Sequence, residues 1–311
     1  MVERVTEASV VLRLDEAVEL GHAWMQSVAE ARGIRVLFIK GPALHRHGLR
    51  DARASADVDL LVDPLRFREL CEAIVAAGWE ERPGNFISHR TTLHSVTFLR
   101  GDWPCDLDVH SFFPGFLADP SAVFEALWER RVRMPFAHRE CDVPDRVSGI
   151  LILALHSLRG ATIQTRHADE LEQLLRVSLT DEERADAASL ALATGCAATL
   201  EAVLPRLGVH VEPPAAELES AELREWRERV DAGSHGAYFW LLTLRKARWR
   251  ERPVVVWRAF WPSAAELRVS HPEVDGTIRS AARARWKRWM HGVTSAPAAI
   301  RAVFVNRRRR R

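Results

Sequence analysis

The chain has 311 residues, 47% of them hydrophobic and 28% charged, with a formal net charge of +2. This is the composition of a globular protein long enough for a large core and two domains, and so balanced a charge excludes a protein-wide field that gathers nucleic acid or anionic membrane. The longest apolar run, Gly149 to Leu155, falls far short of the ~20 residues of a membrane-spanning helix, and the first residues lack the apolar core of a signal peptide, so the expectation is a cytoplasmic protein.

Residues 6–32 are predicted to be helical, because Val10, Val11, Leu14, Ala17, Val18, Leu20 and Trp24 recur near helical spacing and Gly33 supplies a stop. The pattern then switches to a β-branched, apolar run at Ile34 to Ile39 and another at Asp57 to Val62, each suited to a buried strand. Pro64 opens a helix with Phe67, Leu70, Cys71, Ile74 and Val75 on one stripe, closed by Gly78. Ser95 to Arg100 and Pro104 to His110 read as a β-hairpin turning at Gly101-Asp102. Side chains alternate along a strand, so Asp106, Asp108 and His110 share one face and Cys105, Leu107 and Val109 the other. A short helix at Ser121 to Arg133 and one strand at Phe136 to Val143 complete residues 1–143, read as an α/β domain.

Beyond Pro144 the period-2 pattern ends. Successive helices are expected at Asp145 to Leu158, Ala168 to Val177, Asp181 to Ala193, Ala197 to Leu207, Ala216 to Val230, Ala237 to Arg250 and Ile278 to His291. Residues 144–305 therefore read as a helical domain, with a loop at Val211 to Pro214, and 306–311 as a basic, disordered tail. Cys71, Cys105, Cys141 and Cys196 are far apart, with no C-x-x-C pair, and read as small buried apolar residues. Trp249, Trp257, Trp261, Trp286 and Trp289 alternate with Arg248, Arg250, Arg258, Arg285 and Arg288; stacking on bases is one reading, and tryptophans packing a helical core with arginines at its rim is the favoured one. His156 reads as a buried histidine bonded to backbone in preference to a substrate contact.

The chemistry is concentrated between Val36 and Val62. Asp57 and Asp59 leave the same face of a strand with Cα atoms roughly 6.5 Å apart, a separation that lets both converge on a hard cation. An isolated D-x-D is more often an exposed strand end or a turn cap. Its surroundings shift that balance. Lys40-Gly41 ends the preceding strand, where glycine admits a close ligand and the helix after it offers free N–H groups to phosphate. The face carrying Asp106, Asp108 and His110 is too polar for a core and looks onto water or onto a site. Asp106 reads as solvent-exposed or supporting, and His110 as orienting a carboxylate or touching phosphate.

These residues carry a resemblance. The order of strand, Lys-Gly turn, short helix, D-x-D strand and a later strand with a third acid resembles the nucleotidyltransferases with a DNA polymerase β-like palm. More narrowly, KGPAL, then Arg53 four residues before DVDLLV, then DLDVH, is similar to a family of uncharacterised bacterial nucleotidyltransferases. The likeness is specific over residues 34–112. It is looser at ILALHSL, at a helix carrying Asp169 and at FWPSAAELR. Pro42 stands where the wider superfamily has a serine.

The resemblance implies a polymerase β-like α/β (α+β) domain with a small mixed sheet, followed by an all-helical domain. It also implies Mg2+-dependent transfer of a nucleoside monophosphate from a triphosphate such as ATP to an acceptor, with pyrophosphate as the leaving group. Asp57, Asp59 and Asp108 would be the catalytic metal ligands, for Mg2+ or Mn2+, since two metals about 3.5 to 4 Å apart serve the attacking and leaving oxygens. Lys40, Gly41, Arg53 and His110 would bind the nucleotide, with Arg53 equally suited to partnering Asp57. The acceptor stays open among small molecule, peptide, protein and RNA. Two alternatives stand beside this: a palm without catalysis that binds a partner protein or RNA, and a D-x-D glycosyltransferase.

Overall fold

The computed structural model describes residues 12–84, 86, 94–159, 165–232 and 236–263, and beyond them 267, 277, 279–280, 282–287, 289–290 and 294. Helix α1 (Leu14–Glu30) leads into β1 (Val36–Phe38), the short α2 (Pro42–Arg46), β2 (Asp57–Val62) and, after one 3-10 turn, α3 (Phe67–Ala76). Strands β3 (Glu80–Glu81), β4 (Ser95–Leu99) and β5 (Asp106–His110) complete a mixed five-stranded sheet in the order β1-β2-β5-β4-β3. Within it β2 and β5 are parallel and the other pairings antiparallel. After α4 (Pro120–Glu129), β6 (Val132–Phe136) and β7 (Arg139–Val143) form a separate two-stranded ribbon.

From Arg146 onward the described elements are helical: α5 (Arg146–Leu158), α6 (Thr165–Leu174), α7 (Asp181–Ala193), a 3-10 turn at Leu204–Leu207, α8 (Ala215–Leu218), α9 (Ala221–Ala232), α10 (Gly236–Lys246) and α11 (Arg252–Phe260). The chain is thus a mixed α/β protein with a small mixed sheet followed by a helical region. Among the described residues no helix is long and apolar enough to cross a membrane.

Alternation along the strands decides which face meets which layer. Val36, Phe38, Val58, Leu60, Val62, Leu107 and Val109 point into a core shared with Ala17, Val18 and Met25 of α1. The helix lies close, because a Cβ at Gly21 would come within 2.9 Å of Val58 Cγ2. The opposite parity, Leu37, Ile39 and Leu61, enters a second core with Leu44, Leu49, Phe113 and residues Val147 to Leu155 of α5. Asp57 and Asp59 share the parity of Leu61, and Asp108 is paired with Asp59. The acids therefore stand on the sheet face that the helical region covers.

Several elements differ from the sequence expectation. The expected helix at Ser121 to Arg133 stops at Glu129, and the single strand expected at Phe136 to Val143 is the second half of a hairpin whose first half begins at Val132. Its turn is Ala137-His138, both at positive φ (44° and 64°), without the glycine or asparagine by which such turns are recognised. The expected helix at Ala197 to Leu207 is a run of turns ending in the 3-10 helix, since Pro205 cannot donate and clashes with a preceding helical turn. The stretch Ala216 to Val230 divides at Glu219-Ser220, where the Ser220 hydroxyl accepts from the Leu223 amide to start a new helix.

The expected tryptophan core is not formed. Trp249 is 73% exposed, Trp257 and Trp286 62% each, and α11 buries only Val255. Arg288 and the tail at 306–311 lie outside the described residues, as do residues 6–11 of the first predicted helix.

His22 sits in the α1 core, where its ring stacks on Phe136 at 4.3 Å and its Nδ1 lies 2.7 Å from the Val18 carbonyl. Burial lowers its pKa to about 4, against a weaker upward pull from that carbonyl. The unfolded chain binds a proton at His22 near pH 6.5, and the folded chain refuses it until about pH 4. Stability is therefore lost as pH falls through that window, by about 2 to 3 kcal/mol for this residue. His22→Phe keeps the stacking and removes the titration. Denaturant unfolding at pH 7 and 4.5 should show a smaller acid loss in the variant by that amount, and an equal loss would refute the assignment.

Candidate active site

The parallel pairing of β2 with β5 sets Asp57 opposite Asp106 and Asp59 opposite Asp108. Neighbouring strands lie about 4.8 Å apart, so the acids form a compact group at one end of two strands. Asp59 is the most buried, at 4% exposed, and Asp57 and Asp108 are half-buried. Lys40, carried just past the end of β1, places its Nζ 2.5 Å from Asp59 Oδ1. His110 Nε2 bridges the two central acids, 3.2 Å from Asp59 Oδ1 and 3.1 Å from Asp108 Oδ2. Thr97, opposite Asp108 on β4, donates its hydroxyl to Asp108 Oδ1 at 3.1 Å. Asp57 accepts a bond from the Ser55 hydroxyl at 3.3 Å.

The electrostatics follow from these contacts. Burial alone would raise the Asp59 pKa, but Lys40 and His110 outweigh it and hold the carboxyl below its ordinary value. Burial opposes ionisation of Asp108 as well, and His110 and Lys40 reverse it, so its pKa is lowered too. His110 shows the converse: burial favours the neutral ring, and the Asp108 and Asp59 carboxylates raise its pKa. Asp57, farther from the cations, has its pKa raised by burial and then by Asp59.

The Lys40-Gly41 turn keeps this arrangement open. Gly41 has φ +65° and ψ −138° and caps α2, with Pro42 at the first helical position. A Cβ at Gly41 would stand 3.6 Å from Ser55 Oγ and 3.9 Å from the His22 ring. Arg50 donates to the Gly41 carbonyl at 2.8 Å, which ties the turn to the segment before β2.

Of the residues singled out from the sequence, Lys40, Asp59, Asp108 and His110 meet directly, and Gly41 and Asp57 border them. Arg53 goes elsewhere: its guanidinium pairs with Glu170 of α6, not with Asp57. Asp106 is half-buried and ion-paired with Arg82. His156 is half-buried; its Nδ1 has no hydrogen-bond partner, and the ring meets His167 edge-on at 4.7 Å. On α6 the exposed residue is Asp169, and Glu170 is buried. Sequence reading missed Glu170, Arg50, Ser55 and Thr97. Their roles depend on contacts between distant segments, and only the one-residue shift from Asp169 to Glu170 could be sought in the helical period.

Among the described residues two groups of side chains have geometry that could hold a metal ion, Asp59 with Asp108 and His110, and His156 with His167 and Glu170. In each, the ligand atoms lie within 4.8 Å of one another. The first, with Asp57 alongside, is rich in carboxylate oxygen and suits a hard divalent cation. The second has both arginines, Arg50 and Arg53, on its only carboxylate.

A family model described as uncharacterised nucleotidyltransferase matches residues 25–205. The chain belongs to that family. The match spans β1, β2, β5 and α5 to α7, and so includes the carboxylates and Glu170. Comparison with curated proteins gives no match. Among solved structures the chain is similar to an antigenic nucleotidyltransferase-like protein from Paracoccidioides brasiliensis, at 11% identity and a TM-score of 0.38, over 66% of this chain and 98% of that one.

Glu170 is 3% exposed and compensates the buried Arg50 and the half-buried Arg53, so its removal leaves both without a carboxylate. Glu170→Gln should cost about 3 kcal/mol in denaturant unfolding, whereas Asp169→Asn, one position away and exposed, should stay within about 0.5 kcal/mol. Equal effects would show that the clamp contributes nothing.

Proposed function

We propose that the protein is an Mg2+-dependent nucleotidyltransferase that moves a nucleoside monophosphate from a nucleoside triphosphate onto an acceptor. The observation that carries this reading is the meeting of Asp59 and Asp108, with Asp57 beside them, on adjacent parallel strands next to the Lys40-Gly41 turn. Hard oxygen donors fit Mg2+ or Mn2+, and Asp57, Asp59 and Asp108 are the residues that would hold it. When bound, the ion supplies charge stabilisation at the transferred phosphoryl group.

The chain's own residues divide the remaining work. Lys40 and the Gly41 turn draw the triphosphate in and orient it for in-line attack. Asp108 accepts the proton of the acceptor's nucleophile as that atom bonds to the α-phosphorus. The bond from the α-phosphorus to the bridging oxygen breaks, and pyrophosphate leaves with the electron pair. His110 holds Asp59 and Asp108 in place through its two short contacts. The acids face the helical region, which makes that region the wall against which the acceptor docks.

Incubation with each of the four α-labelled triphosphates and Mg2+ should yield one labelled acceptor and free pyrophosphate. Asp57→Asn and Asp108→Asn should each lower transfer by at least about a hundredfold, the scale of losing one transition-state electrostatic group, with an unchanged far-UV spectrum. Undiminished transfer in either folded variant would overturn the assignment, and turnover of a sugar nucleotide without pyrophosphate would replace it.

A further inference from the structure

We propose that Arg159 and Arg229 form an oxyanion site beside the carboxylates, and that it binds a phosphate group carried by the acceptor. That the phosphate belongs to an acceptor rests on the nucleotidyltransferase function proposed above.

Arg159 caps the C-terminal end of α5, the helix packed over the acidic face. Its guanidinium carbon stands 5.6 Å from the centre of the Phe113 ring, whose centroid is 6.0 Å from that of His110. Its Nη1 is shielded from solvent and has no hydrogen-bond partner. Among the described residues no carboxylate pairs with it. Arg229 of α9 is half-buried, lies 5.5 Å over the Phe239 ring and likewise makes no ion pair among the described residues. Half-buried arginines elsewhere behave differently: Arg35, Arg130 and Arg146 each pair with carboxylates.

A guanidinium shielded from water without a hydrogen-bonded acceptor is costly in the free protein. Burial and then the charge of Arg229 push the Arg159 pKa down to about 10, and burial lowers that of Arg229 against the pull of Tyr238 and Glu225. Asp108 and Asp59 offset the charge of Arg159, and Glu225 that of Arg229, from a distance and without an ion pair, so a bound anion would add the direct partner that each guanidinium lacks. Two guanidinium groups without an ion pair offer N–H donors and two positive charges, which a phosphate dianion satisfies on a single group. The Tyr238 hydroxyl, near enough to Arg229 to act on its charge, is also buried without a hydrogen-bond partner.

The position separates this site from the nucleotide's own phosphates. Lys40, Gly41 and Arg50 cluster at the β1–β2 side. The carboxylates that act on Arg159 are Asp108 first and Asp59 second. His94, at the start of β4, is lowered to about 2 by burial and then by Arg159, with Arg229 contributing. Through Phe113 and His110, Arg159 lies toward β5, on the side of Asp108, which takes the acceptor's proton in the reaction above. An acceptor with a phosphate at this point and a nucleophile at Asp108 is held at both ends.

The test uses the full chain, with inorganic phosphate and Mg2+-α,β-methylene-ATP as probes in calorimetry. Phosphate should bind the protein both free and saturated with the nucleotide analogue. Arg159→Met and Arg229→Met should each weaken phosphate at least tenfold and leave the analogue within threefold, with thermal midpoints no lower than the parent's. Arg159→Lys should recover part of the loss. Competition between phosphate and the analogue, or an equal loss of both in Arg159→Met, would assign the arginines to the nucleotide and overturn the proposal. So would absence of phosphate binding, its persistence in both variants, or a lowered midpoint accounting for its loss. Arginine-dependent phosphate binding in a protein that ignores the analogue would keep the oxyanion site while removing the nucleotidyltransferase reading.

Discussion

The structure depends on how the charge of Asp59 is tolerated. The residue is nearly sealed from water, and an ion of that size stripped of solvent loses several kcal/mol unless geometry returns them. Lys40 at 2.5 Å and His110 at 3.2 Å return them from opposite sides. Each compensating group is held by an element that must be in place first. Lys40 depends on β1 pairing with β2 so that Phe38 meets Leu60, and His110 on β5 lying parallel to β2 in a register that sets it against Leu61. A slip of one residue in either pairing would put Asp59 or His110 into the apolar core below the sheet.

The same parity links the acidic centre to the helical region. Leu37, Ile39 and Leu61 join one core with Val147 to Leu155, so α5 cannot leave the sheet without exposing both. This fixes the C-terminal end of α5, and Arg159 with it, near the acids. It also brings α6 over the segment before β2, where Glu170 meets Arg50 and Arg53. Arg50 in turn bonds the Gly41 carbonyl. A carboxylate 129 positions away from Gly41 in the chain thus helps to set the turn beside Lys40. Packing fixes where α6 lies, and the ion pairs fix how the turn is held.

Strand β2 was legible residue by residue, because Asp57 to Leu60 alternate between acid and apolar side chains and Leu60 to Val62 continue as an apolar run suited to a strand covered on both faces. The facing of Asp106, Asp108 and His110 followed from the same period, as did the pairing of β4 with β5. The Ala137-His138 hairpin was hidden because neither residue advertises positive φ. The partners of Arg53 and Asp59 were hidden for another reason. Periodicity gives the face on which a side chain leaves its own element, whereas ion-pair partners depend on which distant element arrives there. Asp57 lies four residues from Arg53 in sequence, and the acid that meets Arg53 in space is Glu170.

The tryptophans of the C-terminal part show the limit from the other direction. A run such as Val254-Val255-Val256-Trp257 has the composition of a core helix, and composition favours burial only if another layer supplies a matching face. Near α5 that layer exists, since β1, α2, α4 and α7 all contribute to one cluster. α11 packs on α10, its last residue Phe260 meets Trp289 edge-on at 6.4 Å, and Trp257 stacks on Trp261 within its own segment instead of filling a space between layers. Hydrophobic content alone therefore separates core from surface poorly. What identifies the core helix here is that both Ile150 and Ile152 are buried, on opposite sides of α5, while α11 buries Val255 alone.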